Sequence, residues 1–104
     1  MIKIEELVNI FKEIKSIELI ILFGSRVDNP EKQDSDIDFC FVIDNESKSN
    51  IIFEKVSEIL THSKVLIHPV IFTKNEFVRK TQIKVYRESI IEKGKVMYKR
   101  NNKA

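Results

Sequence analysis

The sequence predicts an α/β domain in which helices pack against a small mixed β-sheet. Two observations support this fold class: several stretches repeat apolar residues at helical spacing, and short apolar runs rich in branched side chains lie between them. Helical and strand-like stretches alternate along the chain, as they do in α/β domains. Because no internal repeat or linker interrupts this order, we expect a single domain over residues 1–104.

The first part of the chain is predicted to form a helix and two strands. Apolar residues from Ile4 to Ile14 recur every three or four positions, which indicates one buried helical face. The run Ile17–Phe23 is nearly all apolar and ends at Gly24, so we expect a strand buried on both faces. A second strand is expected over residues 34–43. Its alternation predicts one face formed by Ile37, Phe39, Phe41 and Ile43, and the other formed by Asp36, Asp38, Cys40 and Val42.

The second part of the chain continues the alternation. Pro69 inside a predicted strand indicates an edge strand, because proline has no N–H for a ladder hydrogen bond. Thr73 followed by Glu76 is typical of a capping box, and Gly94 is expected to cap the last helix. The predicted elements are a helix from Ile52 to Leu60, a strand over Val65–Phe72, helical structure from Phe77 to Ile91 and a short strand over Val96–Tyr98.

Composition narrows the functional classes. The formal charge of +2 is small, and the basic tail residues are typical of a solvated terminus, so nucleic-acid binding is disfavoured. Cys40 is the sole cysteine and lies between two phenylalanines, which predicts a buried, inert thiol. The sequence shows no charged leader and no apolar run long enough for a bilayer, so we expect a cytoplasmic protein without a membrane partner.

Two short motifs carry the candidate chemistry. Gly24 and Ser25 follow a buried strand, where a turn without a side chain can bring backbone N–H groups close to a phosphate, although such pairs are more often plain turns. Asp36 and Asp38 are two residues apart in a predicted strand, so their carboxylates converge and repel unless a cation lies between them. Solvated acids are the alternative. The position of both acids at the start of an apolar strand favours a magnesium site.

Ten residues separate Gly24-Ser25 from Asp36-Ile37-Asp38, and the two motifs lie in the segments Phe-Gly-Ser-Arg (23–26) and Asp-Ser-Asp-Ile-Asp-Phe (34–39). In residue identity and spacing they resemble the signature of the DNA polymerase β-like nucleotidyltransferase superfamily, and in particular its minimal nucleotidyltransferase (MNT) branch. The segment Glu-Lys-Gly-Lys-Val-Met-Tyr (92–98) is similar to the way these domains often end. The resemblance implies the palm-like nucleotidyltransferase fold of polymerase β.

The resemblance also implies a role for each motif residue. In that family the Gly-Ser turn binds nucleotide phosphates and the paired acids ligate two magnesium ions. These roles pass to Gly24 and Ser25 for phosphate, and to Asp36 and Asp38 for metal binding and catalysis. Arg26 is a candidate for charge-assisted hydrogen bonds to the triphosphate, with a solvated loop arginine as the alternative. We therefore expect ATP as the substrate and Mg²⁺ as the cofactor.

One feature departs from the family pattern. Catalytic members usually present a third acid from a later strand, whereas Ile59–Asn75 contains no Asp or Glu. His68 lies near the expected position, and a structural or supporting role behind the metal ligands is favoured over a role as a base. Two functions remain open. One is a nucleotidyltransferase that moves AMP from ATP to a protein hydroxyl, and the other is a catalytically impaired nucleotide-binding module that neutralises its partner by binding alone.

The resemblance implies a partner as well. Stand-alone MNT proteins resemble the antitoxins of HEPN–MNT toxin–antitoxin pairs, which bind a HEPN ribonuclease and can adenylylate it. A HEPN-type toxin is therefore the expected partner, and a tyrosine or other hydroxyl on it is the expected acceptor. His62 is interpreted as a surface or helix-capping residue. Candidates for a protein interface, with core packing as the alternative, are Phe77, Val78, Val85 and Tyr86.

Overall fold

A computed structural model describes residues 2–32 and 35–101 of the chain. In this part of the chain, four strands form one sheet in the order β3-β2-β1-β4. β1 runs antiparallel to both β2 and β4, whereas β2 and β3 are parallel, so the sheet is mixed as predicted. The strands are β1 (Ile17–Phe23), β2 (Ile37–Ile43), β3 (Ile67–Thr73) and β4 (Lys95–Lys99).

Helices cover both faces of this sheet. The chain also contains two short 3₁₀ turns: Gly24–Arg26 follows β1, and Glu46–Lys48 precedes the second helix. A π-helical segment, Arg87–Glu92, continues the last α-helix without a break. The α-helices are α1 (Ile4–Phe11), α2 (Ser49–Ser63), α3 (Lys74–Lys80) and α4 (Lys84–Tyr86).

The alternation of β2 divides the core into two clusters. Phe39 and Phe41 point to the face covered by α1 and α2, where their ring centroids lie 6.1 and 4.8 Å from that of Phe11. Cys40 points to the other face and packs in the same cluster as Ile90 of the π-helical segment. The predicted alternation is confirmed within β2, whereas Asp36 precedes the strand and its assignment to a face stays a prediction. Since side chains two apart on a strand share a face, the next even-numbered position, Asp38, belongs to the side covered by the π-helical segment.

Several element boundaries differ from the predicted ones. α1 ends at Phe11, not at Ile14, because the chain turns directly after that residue. β2 begins at Ile37, where the Ile37 N–H donates to the Leu66 carbonyl at 3.1 Å, and not at residue 34. Asp34 lies outside the described residues. β3 begins at Ile67, not at Val65: the left-handed Lys64 (φ 58°) ends α2, and Val65 and Leu66 connect the two elements.

Two other predictions for the second half of the chain, the capping box and the edge strand, are confirmed. Thr73 and Glu76 form the capping box: the Thr73 N–H donates to Glu76 Oε1 at 2.9 Å, and the Glu76 N–H donates to Thr73 Oγ1 at 3.3 Å. β3, which contains Pro69, is an edge strand. The predicted last helix widens into the π-helical segment, which ends at Glu92. The prediction that Gly94 caps it is wrong, because the C-cap is Lys93 and Gly94 does not adopt the left-handed conformation of a glycine cap.

Candidate functional site

The Gly-Ser turn lies directly at the end of β1. Phe23 is the last residue of the strand, and Gly24–Arg26 form the 3₁₀ turn that follows it. Gly24 has a φ of +79°, a left-handed conformation that residues with side chains rarely adopt. The backbone therefore requires glycine at the point where the chain leaves the sheet.

Asp38 packs against this glycine. Phe23 and Asp38 are Cα partners in the antiparallel pair β1–β2, which brings the following turn close to the Asp38 carboxylate. A methyl group at position 24 would overlap Asp38 Oδ2 and lie 3.1 Å from Asp38 Cγ. The missing side chain of Gly24 is thus what lets a carboxylate approach the turn.

The second carboxylate oxygen of Asp38 contacts His68. The two residues are Cα partners in the parallel pair β2–β3, and His68 Nδ1 lies 3.0 Å from Asp38 Oδ1. The His68 side chain is 63% exposed, which argues against a role in core packing. Asp38 therefore has a different neighbour at each oxygen: the imidazole at Oδ1 and the glycine turn at Oδ2.

Asp36 lies just before β2 and not within it. Ile37, between the two acids, is 2% exposed and belongs to the core face that α1 and α2 cover. The Asp38 side chain points to the opposite face of the sheet from the Ile37 side chain, because neighbouring residues of a strand alternate. Asp36 is exposed to solvent at the start of the strand, and its role as a metal ligand stays a prediction.

Arg26 ties the loop between the two motifs to the turn. It is 8% exposed, and it donates from Nε to Ser35 Oγ at 3.1 Å, from Nη2 to the Ser35 carbonyl at 2.7 Å and from Nη1 to the Pro30 carbonyl at 3.2 Å. Ser25 Oγ also donates to Ser35 Oγ at 3.2 Å. The solvated alternative for Arg26 is wrong, and its contact with phosphate stays a prediction.

Ser35 is a site residue that the sequence analysis did not single out. It immediately precedes Asp36 and accepts hydrogen bonds from both Ser25 and Arg26. These bonds hold the start of β2 against the Gly-Ser turn, so the spacing between the two motifs has a structural cause. The only signal for Ser35 in the sequence is its place inside the Asp-Ser-Asp segment.

The oxygen atoms at this end of the sheet suit a hard divalent cation. The carboxylates of Asp36 and Asp38 and the hydroxyl of Ser25 are the kinds of ligand that Mg²⁺ prefers. Within residues 2–32 and 35–101, no group of three His, Cys, Asp or Glu side chains is arranged to hold a metal ion by itself. Phosphate oxygens of a nucleotide would have to complete the coordination, which is usual for Mg²⁺ at triphosphate sites.

A cleft opens beside the Gly-Ser turn. A larger cleft of about 670 Å³ lies near the start of β1. There, Lys74 and Arg100 already pair with Glu18 at 3.0 and 3.7 Å. Of these two clefts, the one at the turn is the better candidate for an anionic ligand. It has a volume of about 470 Å³ and is lined by Gly24, Val27, Asp28, Ser89 and Lys93.

Comparison with known proteins places this geometry in a family. The family model described as polymerase beta, nucleotidyltransferase matches residues 5–103, nearly the whole chain. The chain belongs to the polymerase beta nucleotidyltransferase family. The resemblance and the fold class predicted from the two motifs are thus confirmed. No curated protein sequence matches this family member.

Solved structures with a similar fold are toxin–antitoxin complexes. A mutant of the toxin–antitoxin MntA–HpeT is 17% identical, with a TM-score of 0.67 over 97% of this chain and 76% of that one. A toxin–antitoxin with AMP-PNP is 16% identical, with a TM-score of 0.62 over 93% and 73%. A tri-AMPylated Shewanella oneidensis HEPN toxin in complex with MNT antitoxin is 16% identical, with a TM-score of 0.56 over 93% and 74%. At these identities the likeness shows a shared nucleotidyltransferase fold.

The interface candidates of this nucleotidyltransferase domain divide into two pairs. The rings of Phe77 and Tyr86 lie 6.5 and 5.9 Å from that of Phe72, so core packing accounts for them. Val78 and Val85 are 64% and 71% exposed, and a partner surface there stays a prediction. His62 lies exposed in the last turn of α2, as predicted. No helix in the described ranges is both long and apolar enough to cross a membrane.

The thiol of Cys40 should be unreactive in the folded protein. Cys40 is fully buried, and this burial raises its pKa from 9.0 to about 12. Because the thiolate is the reactive form, we expect no reaction with Ellman's reagent at pH 8 under native conditions and full reaction after unfolding in guanidinium. Rapid labelling of the native protein would contradict this prediction. The thiol of the unfolded chain loses its proton near pH 9, whereas the buried thiol keeps its proton up to about pH 12. Ionisation of Cys40 therefore lowers the free energy of unfolding as the pH rises from 9 towards 12.

Proposed function

We propose that this protein transfers AMP from ATP to a hydroxyl group of a HEPN-type toxin, with which it forms a toxin–antitoxin pair. The observation that carries the proposal is the close approach of the Asp38 carboxylate to the Gly24 turn. Nucleotidyl transfer requires a group that binds phosphate next to a group that binds a metal ion. The Gly-Ser turn suits the phosphate, and the Asp38 carboxylate beside it suits the metal ion.

The structural neighbours support the choice of nucleotide and partner. One neighbour is a toxin–antitoxin with AMP-PNP, and another is an MNT antitoxin in complex with a tri-AMPylated HEPN toxin. This chain shares their fold and carries the Gly-Ser and Asp-x-Asp motifs. A similar substrate and a similar partner are therefore the simplest assignment for it.

In the proposed reaction, the oxygen of the acceptor hydroxyl attacks the α-phosphorus of ATP. A phosphorus–oxygen bond to the acceptor forms, the bond from the α-phosphorus to the oxygen bridging to the β-phosphate breaks, and the hydroxyl proton passes to solvent. Pyrophosphate is the leaving group. Backbone N–H groups of Gly24 and Ser25 and the Ser25 hydroxyl position the phosphates, and Asp36 and Asp38 would hold the metal. When bound, Mg²⁺ supplies neutralisation of the phosphate charge.

His68 has a positioning role in this proposal. Its Nδ1, 3.0 Å from Asp38 Oδ1, restrains the carboxylate so that Oδ2 stays directed at the turn. Neighbours of this kind orient metal ligands, and their loss typically costs roughly 10- to 100-fold in metal affinity or activity. His68 therefore acts through Asp38 and not on the nucleotide itself.

A second candidate function is a nucleotide-binding module that neutralises its toxin by binding alone. The observation that favours it is the site's small set of acids: β3 places His68, and no carboxylate, beside Asp38. A site with fewer acids holds metal more weakly, which would slow transfer before it prevents nucleotide binding.

Radiolabel transfer distinguishes the two functions. The purified protein is incubated with Mg²⁺, the HEPN-type toxin and ATP labelled at either the α- or the γ-phosphate. We expect label on the toxin from α-labelled ATP only, and none when the doubly substituted Asp36→Asn, Asp38→Asn variant is used. ATP binding without transfer would favour the binding module. Absence of both ATP binding and transfer would overturn both candidates.

A further inference from the structure

Lys93 lies on the opposite side of Gly24 from Asp38. β4 pairs antiparallel with β1, and Lys95 is the Cα partner of Leu22. Continued past the ends of both strands, this antiparallel register places Gly24, two residues after Leu22, opposite Lys93, two residues before Lys95. Both residues line the cleft of about 470 Å³. The Gly24 turn thus has Asp38 on the β2 side and Lys93 on the β4 side.

The segment that carries Lys93 covers the same face of the sheet as Asp38. Ile90 of the π-helical segment is 1% exposed and packs in one cluster with Cys40 of β2. Cys40 and Asp38 are two residues apart on that strand, so their side chains share this face. Lys93 follows Ile90 closely and therefore belongs to the layer that borders the Asp38 side of the sheet.

The backbone on both sides of Lys93 is held in place. The Lys93 N–H donates to the Glu88 carbonyl at 3.0 Å, the five-residue hydrogen bond of a π-helix. The next residue, Gly94, lies so close to the Ile90 carbonyl that a methyl group there would overlap it. Single turns of π-helix occur frequently at functional sites. Here the π-helical segment sets the point from which the Lys93 side chain reaches the cleft.

The charges around the Gly24 turn favour a basic side chain beside a bound triphosphate. A triphosphate is strongly anionic, and the carboxylates of Asp28 and Asp38 beside it are repulsive unless cations offset them. Arg26 directs its guanidinium at the loop that follows the turn and not at the cleft. Within residues 2–32 and 35–101, Lys93 is the basic residue that lines this cleft, and no carboxylate there is within ion-pair distance of it.

We propose that the Lys93 ammonium group binds the β- and γ-phosphates of the nucleoside triphosphate. This inference rests on the proposed nucleotidyl transfer and adds a ligand-binding residue to the same site. When the bond between the α-phosphorus and the bridging oxygen breaks, negative charge develops on pyrophosphate. A fixed ammonium group beside it stabilises that charge. Lys93 thus contributes to binding of the triphosphate and to departure of the leaving group.

Calorimetric titration with AMP-PNP and with AMP, each in the presence of Mg²⁺, tests the assignment. Lys93→Met should weaken AMP-PNP binding roughly 10- to 100-fold, the usual effect of losing a hydrogen bond to a charged group. Binding of AMP should be unchanged, because AMP lacks the two phosphates in question. Lys93→Arg should retain most of the AMP-PNP affinity, since it keeps the charge.

Lys12→Met is the matched control. Lys12 follows α1 as Lys93 follows the π-helical segment, so both variants lose the same favourable interaction with a helix C-terminus. The Lys93 proposal is overturned if Lys93→Met binds AMP-PNP as the wild type does, or if both methionine variants lose affinity equally; the proposed function then still stands. Failure of the wild type to bind AMP-PNP with Mg²⁺ would overturn the proposed function, and the Lys93 proposal with it.

Discussion

The Asp38→Asn variant is expected to lose about a thousandfold or more of its nucleotidyl-transfer rate while keeping its fold. Asn has nearly the same shape as Asp but no charge, so it cannot hold a divalent cation against the phosphates. Metal ions contribute several kcal/mol of transition-state stabilisation, and each 1.36 kcal/mol corresponds to about a tenfold change in rate. The rate of label transfer from α-labelled ATP, at saturating ATP and Mg²⁺, measures the loss.

Asp44→Asn provides the matched control for this variant. Asp44 directly follows β2 at its other end, and its exposed carboxylate lies 3.4 Å from Arg100 Nη2. Exposed pairs of this kind contribute little, so we expect the control to keep both its activity and its stability. The melting temperature of Asp38→Asn should stay within about 4 °C of the wild type. A rate within tenfold of the wild type would contradict the role assigned to Asp38.

Gly24→Ala is expected to abolish nucleotide binding and to destabilise the protein. Its φ of +79° is costly for alanine, and the added methyl group would overlap Asp38 Oδ2. Backbone strain of this kind costs about 1–3 kcal/mol, which lowers the melting temperature of a domain this size by roughly 5 °C or more. Because the methyl group also displaces the carboxylate, we expect AMP-PNP affinity to fall beyond detection in calorimetry performed well below the melting temperature.

Ile52→Val separates the loss of stability from the loss of the site. Ile52 is fully buried in α2, on the sheet face away from Asp38, and the substitution removes one methyl group at a cost of roughly 0.5–1.5 kcal/mol. It should lower the melting temperature while leaving AMP-PNP binding intact. If Gly24→Ala were to bind AMP-PNP as well as Ile52→Val does, the turn would not be part of the nucleotide site.

Local chemistry made much of the fold predictable from the sequence. The run from Ile17 to Phe23 is apolar throughout most of its length, and β1 has the predicted bounds. Pro69 identified an edge strand, because a missing N–H has the same consequence in any fold. Helix ends were less predictable. The π-helical segment from Arg87 to Glu92 depends on how Ile90 and Gly94 pack against β1, which no periodicity in the sequence encodes.

The candidate site was predictable where its residues are neighbours in sequence, and not where folding brings distant residues together. The Gly24 turn and Asp38 form part of one motif, and the structure brings them into contact. The burial of Arg26 depends on hydrogen bonds to the Pro30 and Ser35 carbonyls, which exist only once the loop has closed. Lys93 lines the cleft beside the Gly24 turn because β4 pairs with β1, and these two strands are far apart in the chain.

Crystals of the protein grown with AMP-PNP and Mn²⁺ provide the most direct test that the Gly24 turn and Asp38 form one nucleotide and metal site. Anomalous diffraction should place Mn²⁺ within about 2.5 Å of a carboxylate oxygen of Asp38, with the phosphates against the backbone of Gly24 and Ser25. Mn²⁺ and the phosphates bound elsewhere, for example in the cleft around Glu18, with no ligand at the Gly24 turn, would contradict the account.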